Sequence, residues 1–180
     1  SPYHLKRQCI QNSIYGVDID SSAIDIAKLR LWLSLVVDEE SIINIDPLPN
    51  LDYKIVCGDS LLGIDVKNMF VGDLCRKLEE KKNSYFATTN PQEKKRLHND
   101  IDDLIHELTS GKKEFDFKVY FSEVWHDRGG FDIVIGNPPY VSTKGVQENY
   151  KPRLKSYYGF ADDLYSHFFF KSFNIMKPSG

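Results

Sequence analysis

The sequence predicts an α/β fold: a partial doubly wound parallel sheet with a charged helical hairpin inserted into it. Two observations carry that prediction. Short β-prone runs closed by turn or acidic residues recur at 13–18, 53–57 and 131–136. Runs of Ile and Val bounded in this way read as strands buried in a parallel sheet. The first run passes straight into a helical pattern, and strand–acid–helix in that order is half of a βαβ unit.

Residues 1–12 are polar and basic with no clear period, and read as a helix tail or a boundary. Ser13 to Asp18 is the first expected strand. Asp20-Ser21-Ser22 supplies N-cap chemistry for a helix over Ala23–Val37. Ile24, Ala27, Leu31 and Leu35 share one face of that helix. From Leu31 to Val37 it is apolar almost all round, which predicts deep burial, with Trp32 in the core. Pro47 and Pro49 break the chain. Tyr53–Cys57 is the second strand, closed by Gly58-Asp59-Ser60-Leu61-Leu62. An acidic residue again stands at a strand's C-terminal end.

Residues 65–112 change character. Lys and Glu dominate, while Leu97, Ile101, Leu104, Ile105 and Leu108 recur at helical spacing. Thr89-Asn90-Pro91 divides two helical runs, with Pro91 suited to a first turn. This is the inserted hairpin; its charges read as a solvated face, and Gly111 ends it. Phe115 to Val124 alternates apolar and polar residues, as an edge strand or hairpin arm would.

Asp127-Arg128-Gly129-Gly130 is a turn leading into Phe131-Asp132-Ile133-Val134-Ile135-Gly136, a buried parallel strand by pattern. Pro138 and Pro139 have no N–H to give a ladder, so the strand stops near Gly136. The stiff loop that follows lies at the strand's C-terminal end, where open α/β sheets place ligands. Asn137 offers an amide and Tyr140 an aromatic face, an arrangement suited to a planar polar group. Ser142–Tyr158 is polar, basic and aromatic and reads as a loop. Asp162–Met176 reads as a buried helix, with Phe168 to Phe170 packed under the sheet, and Lys177-Pro178-Ser179-Gly180 ends it.

At 180 residues, the chain has the length of one α/β domain. A net charge of −3 lacks the basic balance of a self-sufficient nucleic-acid binder. Cys9, Cys57 and Cys75 form neither a zinc pattern nor a disulfide framework and read as reduced thiols. His4, His98, His106, His126 and His167 show no ligand spacing, so no metal is expected. No apolar run is long enough to span a membrane, and no signal peptide is visible. A sheet of three strands, with no strand before the first or after the last helix, reads as a segment of a longer protein.

The strand ends Asp18, Asp59 and Asn137-Pro138-Pro139-Tyr140, in this order, resemble those of S-adenosylmethionine-dependent DNA adenine N6 methyltransferases of the Taq type. The wider stretch is similar to type IIG restriction–modification enzymes. Tyr15–Asp20, Ala27–Leu33, Gly58–Leu61, Phe131–Tyr140, Asp163-Leu164-Tyr165 and Lys177–Gly180 carry the resemblance. It implies a Rossmann-like methyltransferase sheet, with residues 1–180 part of a catalytic domain and 65–112 an insertion in it.

It also implies roles. Asp18 would accept both ribose hydroxyls of the cofactor, and Ile19 would pack on its adenine. Asp59 would accept from the adenine's exocyclic amine, with Ser60 and Leu61 beside it. The family places a phenylalanine after this aspartate; here Leu61 is the candidate substitute. Asn137 and the Pro138 carbonyl would accept the two N–H bonds of the target amine, Pro139 would hold that carbonyl still, and Tyr140 would stack on a base flipped out of the duplex. Phe160 would be a second wall of the base pocket. Lys151 and Arg153, with Lys155, would meet DNA phosphates, although a plain solvated loop would suit the same residues.

The family's glycine-rich cofactor loop has no counterpart in residues 1–14. The expectation is therefore a fragment, inactive in isolation, of a cytoplasmic prokaryotic enzyme acting on double-stranded DNA through its parent protein. Two alternatives share the chemistry: glutamine N-methylation of a protein and cytosine N4 methylation of DNA. A further alternative is a catalytically dead DNA-binding or assembly module. The insertion and Asp163-Leu164-Tyr165 favour DNA over glutamine, while the motif residues separate cytosine from adenine only statistically. The oligomeric state and recognition sequence are not legible.

Overall fold

The computed structural model describes residues 2–37, 51–63, 71–109, 115–141 and 149–178. Pro47, Pro49, Gly111, Ser179-Gly180 and the outer ends of the expected hairpin lie outside them, as do residues 142–148 of the expected loop. The chain forms two compact units, Ser1–Gly58 and Asp59–Gly180.

The first unit is α/β. Helix α1 (Pro2–Ser13) precedes strand β1 (Gly16–Asp18), helix α2 (Ser21–Val36) and strand β2 (Ile55–Cys57). The strands are parallel, with Gly16 opposite Ile55 and Asp18 opposite Cys57. Asp20 caps α2, its carboxylate accepting from the Ser22 N–H at 2.8 Å. The expected face of α2 is the buried one: Ile24 and Leu35 sit in a core with Tyr3, Ile10, Leu51 and Ile55, and Ala27 and Leu31 pack against it. Deep burial of 31–37 does not follow. Leu33 and Val37 are exposed and Trp32 is half-buried, because a narrow apolar stripe already satisfies the two-strand sheet beneath.

The second unit is helical. α3 (Val71–Ala87) and α4 (Pro91–Leu108) form the expected hairpin. Asn90 caps α4 through the Gln92 and Glu93 amides, with Pro91 in the first turn. Leu97, Ile101, Ile105 and Leu108 line its buried stripe, and Lys81 pairs with Asp100 across the hairpin at 2.6 Å.

Phe115–Val124 is not an edge strand. Asp116 accepts from the Lys118 and Val119 amides and caps the short α5 (Phe117–Tyr120), and α6 (Ser122–Arg128) follows. The apparent alternation is an aromatic cluster: Phe115, Phe117 and Phe121 touch one another edge to face, and Phe131 meets Phe117, Phe121 and Trp125.

Among the described residues, the run expected as a buried strand is mostly without ladder partners. Phe131 bridges Met176 in parallel fashion, but residues 133–141 form no regular element. Ile133 and Ile135 are 75% and 90% exposed. A second correction lies at 150–158, where the expected loop is a helix, α7 (Tyr150–Tyr158), ended by Gly159 at φ 82°. Its Pro152 falls in the first turn, where no N–H is required. Helix α8 (Leu164–Ile175) closes the unit. Phe169 and Phe170 face outward, against expectation, while His167, Lys171 and Ile175 are buried. Among the described residues the sheet has two strands, so the doubly wound arrangement is not seen in full.

Candidate active site

The strongest sequence signal, Asn137-Pro138-Pro139-Tyr140, is a rooted but solvent-facing loop. At its base, the Phe131 N–H donates to the Ile175 carbonyl at 2.9 Å, and the Lys177 N–H returns to the Phe131 carbonyl at 3.0 Å. Gly130 makes this approach possible: its φ is 146°, and a Cβ there would lie 2.7 Å from the Lys177 nitrogen. Asp132 adds an electrostatic clamp, pairing with Lys177 and, at 3.3 Å, with Arg128. Hydrogen bonding from Lys177, then its charge, holds the Asp132 carboxyl below its usual range. Beyond the prolines, the Val141 N–H donates to the Pro139 carbonyl at 2.9 Å, and the Val141 carbonyl accepts from Leu164 at 3.2 Å. Asn137 and Pro139 are exposed, Pro138 is half-buried, and Tyr140 is 91% exposed. The loop thus presents an amide and a ring to solvent from a fixed stem.

Leu164 ties this loop's end to the second acidic segment. Its side chain packs on a cluster of Leu61, Leu62 and Leu154, which Tyr150, Tyr158 and Phe168 also cover. Asp59 shapes the turn there: Oδ1 accepts from the Leu61 and Leu62 amides at 2.9 and 3.2 Å. Ser60 is half-buried and Leu61 fully buried. The Tyr150 hydroxyl donates to both Asp59 oxygens, at 3.0 and 2.8 Å, and the Tyr158 hydroxyl donates to the Leu61 carbonyl at 2.5 Å. Burial first, then Asp59, raises the Tyr150 pKa; burial first, then Tyr157 and Asp59, raises that of Tyr158.

On α7, Tyr150, Leu154 and Tyr158 recur every four residues and point inward. Lys151 and Lys155 share another face, with Arg153 exposed. Phe160 is not a bare wall: its ring stacks on His167 at 4.6 Å and 9°, and also meets Tyr158 and Phe170.

Asp18 and Ile19 belong to the first unit. Asp18 closes β1 with its carboxylate exposed, Oδ1 accepting from the Asp20 N–H at 2.9 Å. Its carbonyl accepts from Gly58 at 2.8 Å. Ile19 is 73% exposed, an uncovered apolar side chain beside an acceptor.

Sequence reasoning missed two features. The Tyr150–Asp59 contact spans 91 positions and has no local signal. The second is a buried polar group. Lys171 donates to Tyr157 at 3.3 Å, and a Cβ on Gly63 would meet Asp116, Tyr157 and Lys171 together. His167 and Lys171, one turn apart on the face that carries Leu164, Phe168 and Ile175, were the available hint. No group of His, Cys, Asp or Glu among the described residues could hold a metal ion, and no helix among them is long and apolar enough to cross a membrane.

Comparison with known proteins places this geometry in context. A family model described as the Eco57I restriction-modification methylase matches residues 12–180. Over 79 residues the chain is 46% identical to a Methanocaldococcus jannaschii protein named as a type II restriction enzyme and methyltransferase. That match covers 41% of this chain and 7% of the relative. No solved structure matches the chain.

Proposed function

The chain belongs to the Eco57I restriction-modification methylase family, and from that premise we propose that it carries the catalytic loop of a DNA adenine N6 methyltransferase using S-adenosylmethionine. The observation that carries this reading is the presentation of Asn137 and Tyr140 to solvent on a stem pinned at Phe131 and Val141.

Adenine's amine is a poor nucleophile because its lone pair is delocalised into the ring. The Asn137 side-chain oxygen and the Pro138 carbonyl would accept its two N–H bonds, favouring a pyramidal nitrogen and localising the lone pair. Positive charge developing on that nitrogen would meet preorganised acceptor dipoles, an oxyanion hole with its sign reversed. Pro139 limits the movement of the Pro138 carbonyl, and Tyr140 offers a stacking face for an extruded base. Lys151 and Arg153 on α7 are the candidate phosphate contacts, and Phe160 with its His167 stack is a candidate wall of the base pocket.

S-adenosylmethionine would supply an electrophilic methyl on a sulfonium leaving group. The chain's residues suit it in part. Asp18 is an acceptor-only carboxylate exposed at a strand end, which suits a pair of ribose hydroxyls, and exposed Ile19 suits a ring face. Asp59, with Ser60 and Leu61, has the right chemistry for the adenine amine, but its oxygens already take the Tyr150 hydroxyl. The full doubly wound sheet, with 65–112 as an insertion, is part of the proposal. So are the cytoplasmic setting, action on double-stranded DNA through the complete protein, and inactivity of residues 1–180 in isolation.

The test is to identify the product. The complete protein is incubated with labelled S-adenosylmethionine and DNA, or with cell protein, and the digest is resolved. N6-methyladenine supports the reading. N4-methylcytosine or methylated glutamine in its place overturns it.

A further inference from the structure

We propose that Tyr150 and the exocyclic amine of the cofactor's adenine compete for the Asp59 carboxylate, so that α7 is a displaceable plug in the adenine subsite. This inference rests on the assignment of Asp59 as the amine acceptor.

The donors on Asp59 are of two kinds. The Leu61 and Leu62 amides reach Oδ1 within the same turn, two and three residues on, and need no other part of the chain. The Tyr150 hydroxyl arrives from 91 positions away and is shared between both oxygens. It is the donor that a ligand amine would replace like for like, one N–H···O⁻ contact for one O–H···O⁻ contact. The Tyr150 ring also packs on the Leu61, Leu62 and Leu154 cluster, so it covers the side chain expected to meet the adenine face. Acid and apolar wall are occupied by the same tyrosine.

The fold also makes α7 removable. The helix has nine residues, and its N-cap Asn149 makes no side-chain cap bond. Leu154 is its buried residue, and the Tyr158 hydroxyl fastens its far end to the Leu61 carbonyl. Helices this short hold little intrinsic stability, and elements with few buried contacts open at the low end of a protein's local stabilities. Burial, then Asp59, raises the Tyr150 pKa further above neutral, so the plug is a neutral donor. The apparent cofactor affinity is then reduced by the fraction of molecules in which α7 is displaced.

The experiment uses the complete protein and S-adenosylmethionine. Calorimetry gives Kd for the wild type, Tyr150→Phe and the double variant Tyr150→Phe/Asp59→Asn, and hydrogen exchange follows the amides of α7 with and without saturating cofactor. Removing the competing hydroxyl is expected to tighten binding about tenfold, adding Asp59→Asn to Tyr150→Phe to weaken it, and cofactor to lower α7 protection in the wild type. Unchanged or weaker binding by Tyr150→Phe than by the wild type, with the double variant weaker still, overturns the plug and leaves the Asp59 assignment standing. Equal affinity in Tyr150→Phe and the double variant overturns that assignment and the plug with it. Should Tyr150→Phe fail to fold, α7 protection that stays constant on binding to the wild type is sufficient to overturn the plug.

Discussion

The Tyr150 hydroxyl sits 2.8 Å from Asp59 Oδ2 and 3.0 Å from Oδ1, joining residues 91 positions apart. Eight residues further along α7, the Tyr158 hydroxyl meets the Leu61 carbonyl at 2.5 Å. The two phenols fasten both ends of one short helix to one acidic turn. Tyr158→Phe leaves that carbonyl without its donor, a loss of about 1–3 kcal/mol for a buried polar group. Hydrogen exchange at the Leu154 amide should accelerate accordingly, and unchanged protection would show that the contact does not hold the helix.

Gly63 is expected to resist substitution. A Cβ there would stand 2.7 Å from an Asp116 oxygen and 3.0 Å from the Tyr157 hydroxyl, with the Lys171 Nζ at 3.4 Å. Asp116 and Lys171 are both buried, so neither withdraws easily. Gly63→Ala should cost about 1–3 kcal/mol, the usual range for overpacking. A thermal melt checks this: a midpoint equal to the wild type's would mean that the cluster shifts freely.

Lys82, on the α3 arm of the hairpin, is 2% exposed, donating to the Tyr120 carbonyl and pairing with Glu123 at 3.2 Å. Burial lowers its pKa, and Glu123 opposes that shift. Lys82→Ala strands a carbonyl and a carboxylate, and should cost about 3–5 kcal/mol. Lys82→Met keeps the volume and should cost less. Denaturant midpoints of the two variants give the order, and the reverse order would contradict it.

His167 makes stability depend on pH. Its Nε2 accepts from the Asp162 N–H at 3.1 Å, while Nδ1 is buried without a hydrogen-bond partner. Burial lowers its pKa below 6.5, with Asp162 partly opposing. Because the folded pKa is the lower one, the unfolded chain binds the proton first as pH falls. The contribution is therefore complete above about pH 6.5 and is lost as pH falls through the folded value. Melting temperatures of the wild type and His167→Gln should converge on acidification from pH 7.5 to 5, and a constant gap would remove His167 as the cause.

Legibility in the sequence followed how local each cause was. The α2 face at Ile24, Ala27, Leu31 and Leu35, and the Asn90-Pro91 start of α4, are settled within a few residues, and both emerge as read. Phe115, Phe117 and Phe121 misled because alternation also arises when aromatic rings gather round a short capped helix. Pro152 disguised α7 by resembling a breaker while sitting in a first turn. Ile133 and Ile135 carry a buried-strand pattern yet are exposed among the described residues, since burial depends on partners that a local run does not specify. Asp18, Asp59 and Asn137 were legible as strand-end or loop chemistry; the grip of Tyr150 on Asp59 was not, because only the tertiary fold creates it.

The central claim concerns Asn137, and single-turnover methyl transfer in the complete protein tests it most directly. With cofactor and DNA prebound, Asn137→Ala removes one of the two acceptors for the target amine. The rate should fall by about two to three orders of magnitude, the scale for losing one preorganised charge-stabilising group, while the Kd for S-adenosylmethionine stays at the wild-type value. Methyl transfer at the wild-type rate by Asn137→Ala would contradict the account.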